Sequence, residues 1–231
     1  MRACGLVLAA GAGSRFGGPK GLARTASGEA WVALSVRMLR EGGCDDVLVA
    51  VGARGDEVAG LVPGGAAVVA VPEWSDGLSA TVRAGMRAAA DTGADVVVVV
   101  PVDTPELPAS AVARVVAAAR GGVAAGAGSG AGAGVAADAA GAGAAAGPGS
   151  GPGEVTGAGA GSGDVAGSRG ALVQALYGGR PGHPVVIGVD HLQRLEAALR
   201  GDRGAGAYLA EHGARRIECG DLWSGRDVDR R

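Results

Sequence analysis

Apolar runs of strand length alternate with segments of helical periodicity along the first half of the chain. Cys4–Ala9, Asp46–Val51, Ala67–Val71 and Asp95–Pro101 lack the polar alternation of a half-exposed strand, so they predict strands covered on both faces. Between them, Ala30–Arg40, Asp56–Leu61 and Ser79–Ala90 read as helices. In the last, Val82, Met86 and Ala89 recur at helical spacing while Arg83 and Arg87 fall on another face. Pro108 opens a further helix through Val112, Val115 and Val116, since proline is tolerated in a first turn. This order predicts an α/β fold: a single doubly wound, mostly parallel sheet of Rossmann-like form. Such a sheet places ligand loops at the carboxyl ends of its strands, where the loop after Cys4–Ala9 and the carboxylate of Asp103 both fall.

The pattern collapses in the middle. From 121 to 170 about 70% of residues are Gly or Ala, with almost no large apolar side chain, so the tract cannot bury enough surface to offset the entropy of ordering. It reads as a disordered, flexible insertion, which divides one domain into a first part, 1–120, and a second, 171–231. Long surface insertions are tolerated because loop-closure entropy rises slowly with length. Beyond the tract, Leu172–Tyr177 and Val185–Val189 read as strands, with turn chemistry in Gly178-Gly179-Arg180-Pro181-Gly182. His191–Leu199 and Ala205–His212 read as helices, and Ala214–Cys219 as a late strand.

Composition narrows the function. A chain of 231 residues with net charge −2 has no electrostatic footprint for nucleic acid, and 3% aromatic residues supply no stacking platform for single strands. Cys4, Cys44 and Cys219 are odd in number, share no metal-like spacing and read as reduced thiols. The start enters the first strand directly, leaving no room for a signal peptide, and no apolar run reaches membrane-span length, so a cytoplasmic protein without membrane partners is expected.

The chemistry concentrates in Leu6–Lys20, an apolar strand running into a glycine-rich turn that holds Arg15 and Lys20. Gly11, Gly13, Gly17 and Gly18 are read as positions of positive φ that let the backbone approach phosphate oxygens. Arg15 offers a planar fork and Lys20 a point charge to a triphosphate. A dinucleotide fingerprint would need its third glycine where Phe16 stands, and a Walker loop would need Gly-Lys-Ser/Thr where Pro19 splits Gly18 from Lys20. Asp103 leaves a wholly apolar strand and is followed by Pro105. It reads either as a ligand for Mg²⁺ (magnesium), which prefers hard oxygen donors, or as a cap for the helix near Pro108. Gly77 and Ser79 precede a helix and offer donors to a nucleobase edge or a phosphate, or in Ser79's case an ordinary cap. The histidines show no spacing suited to zinc.

The Leu-Ala-Ala-Gly-x-Gly-x-Arg-Phe-Gly-x-x-Lys stretch resembles the signature of the MobA-like nucleotidyltransferases, and most resembles their molybdenum cofactor cytidylyltransferase branch. Trp74-Ser75-Asp76-Gly77-Leu78-Ser79, Asp103-Thr104-Pro105, Gly182-His183-Pro184 and Gly201-Asp202-Arg203-Gly204-Ala205 follow in the family's order. The resemblance implies Lys20 as motif lysine, with Leu8, Ala9 and Ala10 against the base and Ala10 favouring cytosine. It also implies Gly182 and His183 on the acceptor side, though a lone histidine before a strand also reads as a structural donor. Asp227-Val228-Asp229 resembles the family's terminal metal-binding motif, with Arg230-Arg231 in place of Thr-Pro, and Asp227 is the implied second ligand. The implied partners are CTP, or another NTP, with a molybdopterin cofactor as phosphorylated acceptor and a molybdoenzyme recipient. Rival readings are a guanylyl-, sugar-phosphate or polyol-phosphate nucleotidyltransferase, a nicotinamide-dependent oxidoreductase of the nicotine blue type, and a non-catalytic molybdenum cofactor chaperone.

Overall fold

The computed structural model describes residues 1–121 and 167–229. Seven strands form one sheet in the order β3-β2-β1-β4-β6-β5-β7. They are β1 (Ala3–Ala9), β2 (Asp46–Val51), β3 (Ala67–Ala70), β4 (Val96–Pro101), β5 (Leu172–Tyr177), β6 (Arg180–Gly188) and β7 (Arg215–Glu218). Among the described residues six helices flank them: α1 (Trp31–Glu41), α2 (Gly55–Ala59), α3 (Leu78–Ala90), α4 (Ala109–Ala119), α5 (Leu192–Ala198) and α6 (Gly206–Glu211). β1 pairs in parallel with both β2 and β4, and β6 runs antiparallel to β4 and β5. The α/β fold with one doubly wound, mostly parallel sheet is therefore as predicted.

Side-chain alternation along β1 divides the core. Ala3, Val7 and Ala9 join the layer under α1 and α4, while Cys4 and Leu6 join the layer under α3, α5 and α6. Bare positions set how closely the helices approach: a Cβ on Gly85 of α3 would come within 2.6 Å of Leu6, so glycine lets this helix sit down on the sheet. The expectation of strands covered on both faces holds for the centre of the sheet and fails at its edge. Val68 of β3 is 43% exposed, because β3 pairs on one side with β2 and ends the sheet.

The hairpin between β5 and β6 corrects a second expectation. The turn contracts to Gly178 and Gly179, with φ of 58° and 77°, as a two-residue hairpin requires. Arg180–Pro184 are consequently strand residues, and His183 projects from β6 rather than from a turn. Of the Gly/Ala-rich tract at 121–170, residues 122–166 lie outside the described residues. Its last four, Gly167–Gly170, include a short 3₁₀ turn whose Arg169 carbonyl lies so close to Gly188 that any Cβ there would stand 2.1 Å away. Among the described residues no helix is long and apolar enough to cross a membrane.

Candidate active site

The carboxyl ends of β1 and β4 are neighbours, with Leu8 in register with Pro101 and the Val102 amide donating to the Leu8 carbonyl at 3.1 Å. The two loops that leave them therefore start side by side. In the first, the amides of Phe16 and Gly18 both donate to the Gly13 carbonyl, at 2.9 and 3.1 Å. Gly13 has φ of 60°, and a Cβ there would stand 2.0 Å from the Gly18 carbonyl oxygen, so the ring of backbone closes only on glycine. Gly11 differs from the sequence expectation: its φ is not positive, and a Cβ on it would meet nothing. Its role is to leave the wall bare.

That wall opens on a cavity of about 760 Å³. Leu8, Ala9, Ala10, Gly11, Gly13 and Lys20 line one end, as the strand and loop predict, and Asp103 and Gly77 stand beside them. Arg15 does not line it. The turn buries Phe16 against Trp31, ring centroids 5.3 Å apart, which leaves Arg15 exposed on the solvent side. Ser79 does not line it either, and the cap of α3 is Gly77. The Ser79 amide donates to the Gly201 carbonyl at 2.9 Å, and a Cβ on Gly77 would meet Asp202 at 2.5 Å. The 201–204 loop thus already engages the first turn of α3.

Lys20 is held rather than free. Its ammonium donates to Asp103 Oδ2 at 2.8 Å and Asp229 Oδ1 at 3.1 Å. Burial works to lower its pKa, but the bonds to Asp103 and Asp229 outweigh it and raise the lysine above its ordinary value. Asp229 arrives from the C-terminal segment, which returns to the strand ends: the Val228 amide donates to the Asp103 carbonyl at 2.9 Å. One carboxylate oxygen from each of Asp103, Asp227 and Asp229 lies within 4.8 Å of the others. Hard oxygens converging on a point fit a divalent cation such as Mg²⁺ or Mn²⁺. Asp103 and Asp227 meet as the sequence implies. Asp229 was missed, although its spacing two residues after Asp227 was its signal.

The segment carrying these carboxylates is fixed by aromatic packing. Trp223 stands edge-on to Tyr177 at 5.2 Å, and Gly225 passes directly under the Tyr177 ring. The Tyr177 hydroxyl donates to the His183 carbonyl at 2.6 Å. Gly182 is off the cavity wall, and a Cβ on it would meet the same ring at 2.8 Å, so it makes room for Tyr177. His183 does line the cavity. Its Nδ1 donates to the Val99 carbonyl at 3.3 Å, which leaves Nε2 as acceptor. Burial pushes its pKa below the ordinary histidine value, against the opposing pull of the Val99 carbonyl, Asp103 and Asp227.

The other end of the cavity is apolar and was invisible in the sequence. Val82 and Met86 of α3, Val99 of β4, Val185 and Ile187 of β6, and Leu209 of α6 line it. Thr81, Gln174 and Asp202 also line the cavity, Asp202 beside Gly77.

Parallel strands that end on a bare glycine loop beside a carboxylate cluster are the build of α/β proteins that handle phosphates with a divalent cation. The sequence of the MobA-like NTP transferase domain matches residues 5–216, and the chain belongs to this family. It is a nucleotidyltransferase. Rv0371c from Mycobacterium tuberculosis H37Rv superposes with a TM-score of 0.69 at 18% identity, covering 100% of this chain and 93% of that one. Rv0371c from the same organism in complex with manganese superposes with a TM-score of 0.61 at 16% identity, covering 95% of this chain and 89% of that one. A nucleotidyl transferase from Methanothermobacter thermautotroptrophicus gives a TM-score of 0.65 at 18% identity over 99% of this chain and 92% of that one. At these identities the likeness is one of fold. No curated protein matches the chain at a significant level.

Proposed function

We propose that this protein transfers CMP from CTP to a molybdopterin-type cofactor and releases pyrophosphate. The observation that carries the reading is one cavity lined by the glycine loop, Lys20, Asp103 and His183 together with apolar side chains of α3, β6 and α6. Its polar and apolar linings suit the two substrates. Ala9 and Ala10, both buried and small, let a pyrimidine lie against the end of β1, and the bare Gly11–Gly13 backbone lets phosphate oxygens approach.

In the reaction an oxygen of the acceptor's terminal phosphate attacks the α-phosphorus of CTP. A new P–O–P linkage forms, the bond from the α-phosphorus to the bridging oxygen breaks, and pyrophosphate leaves with that electron pair. Lys20, kept protonated by its carboxylate partners, supplies fixed positive charge beside the triphosphate. His183, neutral and with Nε2 open, accepts a hydrogen bond from the acceptor. Asp103 and Asp227, with Asp229, would hold Mg²⁺, which supplies charge neutralisation at the phosphates.

Calorimetry with CTP and with GTP in the presence of Mg²⁺ tests the nucleotide. CTP binding that weakens in Lys20→Ala, with GTP binding at least about tenfold weaker in the wild type, fits the proposal. GTP preferred over CTP would move the chain to guanylyl transfer.

A further inference from the structure

The two edges of the sheet are built differently. β7 closes one of them with Arg215, Arg216 and Glu218, all exposed. Charges on an edge strand are a common defence against pairing with another chain. β3 closes the other edge with Ala67-Val68-Val69-Ala70, which carries no charge, no proline and no bulge. Ala67, Val68 and Ala70 are exposed, and Val68 is the most exposed large apolar side chain among the described residues.

The direction of the backbone groups on β3 defines what it can accept. Pairing with β2 sets Ala70 beside Val51, and the Val71 amide donates to the Val51 carbonyl at 2.8 Å. Backbone groups alternate along a strand, so those of Ala67, Val69 and Val71 face β2 and those of Val68 and Ala70 face outward. This spacing is self-complementary about a two-fold axis at Val69. In an antiparallel pair, Val68 of one copy exchanges both its backbone bonds with Ala70 of the other, and the symmetry repeats the exchange. Pro72 is the next outward position and has no N–H to donate, so the ladder ends there.

Charge selects the occupant. Carried past the strand ends, the same register brings Glu73 of one copy to the Gly64-Gly65 turn of the other. The Arg40 guanidinium stands at that turn: it donates to the Gly64 carbonyl at 3.1 Å and lies 2.8 Å from where a Cβ on Gly65 would be. Arg40 and Glu73 are both exposed, and neither has an ion-pair partner among the described residues. Opposite charges therefore meet at both ends of an uncharged strand.

We infer that β3 is a self-docking edge: two copies of this chain pair their β3 strands antiparallel, join their sheets, and flank the junction with an Arg40–Glu73 ion pair on each side. None of the β3 residues lines the cavity, so each copy keeps its own site.

Sedimentation velocity of the full chain, over a concentration series reaching roughly 300 µM, tests the pairing. The sedimentation coefficient should rise reversibly from monomer towards dimer. Ala70→Pro removes an outward donor that β2 does not use and should weaken association about tenfold or more. Glu73→Arg and Arg40→Glu should each weaken it several-fold at low salt, and the double reversal should restore it. Circular dichroism checks that each variant is folded; if Ala70→Pro is not, the reversals decide alone. A single monomeric species throughout would overturn the inference. So would a dimer that persists in folded Ala70→Pro, or single reversals that the double one does not rescue.

Discussion

Gly225→Ala should detach the C-terminal carboxylates from the site while leaving the core intact. Gly225 has φ of 73°, which costs a residue with a Cβ roughly 1–2 kcal/mol. The new Cβ would also stand 2.5 Å from Cγ of Tyr177, where carbon atoms normally rest roughly 3.5–4.0 Å apart, so tail and ring must part by about an ångström. Tyr177 resists, because its hydroxyl is bonded to the His183 carbonyl and its ring is packed on Trp223. The tail resists less. It is tied down by the Val228 amide on the Asp103 carbonyl, about 0.5–1.5 kcal/mol, and by Asp229 on Lys20. With Asp229 64% exposed, that second tie contributes at most ~1 kcal/mol. Strain and overlap together exceed these ties, so Asp227 and Asp229 leave Asp103. Titrating Mn²⁺ and following the free ion by electron paramagnetic resonance should show affinity lowered about tenfold or more. The melting temperature should move by less than about 4 °C. Gly93→Ala, at φ of 71° with open space around it, controls for glycine strain elsewhere. Mn²⁺ affinity in Gly225→Ala equal to wild type, with Asp103→Asn abolishing binding, would refute the claim that the tail completes the site.

Other perturbations probe other parts of the account. Gly13→Ala places a Cβ 2.0 Å from the Gly18 carbonyl, so the loop cannot close, and calorimetry should show CTP affinity lowered at least about a hundredfold in a folded protein. Glu218 accepts from the amides of Gly220, Gly178 and Gly179 at 2.9, 3.0 and 3.3 Å, and these bonds hold its pKa below the usual value. Its stabilisation is therefore present above the unfolded value, roughly 4.3, and is lost as pH falls through the folded one. Glu218→Gln should melt below wild type at pH 7, and the gap should narrow in acid. A gap that widened would reverse the sign. Burial pushes the Cys4 and Cys44 thiols up to about 11 and about 12, so a thiolate-directed disulfide reagent at pH 8 should modify neither before unfolding.

Much of this site could be read locally. The glycine loop, Lys20 and Asp103 are each declared by a few adjacent residues: an apolar strand, a turn and a charged group at its mouth. Parallel pairing of β1 with β4 then brings them together. Where reading failed, distant parts of the chain had decided. Arg180-Pro181-Gly182 has turn chemistry, yet pairing with β5 draws it into β6 and carries His183 into a strand. Gly77 and Ser79 both offered a start to α3, and the 201–204 loop, packed over Gly77 from more than a hundred residues away, is bonded to the Ser79 amide. Arg15 offered its fork in the same turn as the motif lysine, Lys20, and the burial of Phe16 leaves it off the cavity wall. The apolar end is the extreme case. Gln174, Thr81 and Leu209 come from β5, α3 and α6, and the one local sign was a glutamine inside an otherwise apolar strand.

The most direct test of the central claim is pyrophosphate release by the full chain with Mg²⁺, molybdenum cofactor and each nucleoside triphosphate in turn. The account predicts release from CTP that requires the acceptor and falls at least about a hundredfold in Lys20→Ala, since preorganised charge at the phosphates acts on the transition state. Acceptor-dependent release from another nucleotide, or none from CTP in a protein that binds it, would contradict the account.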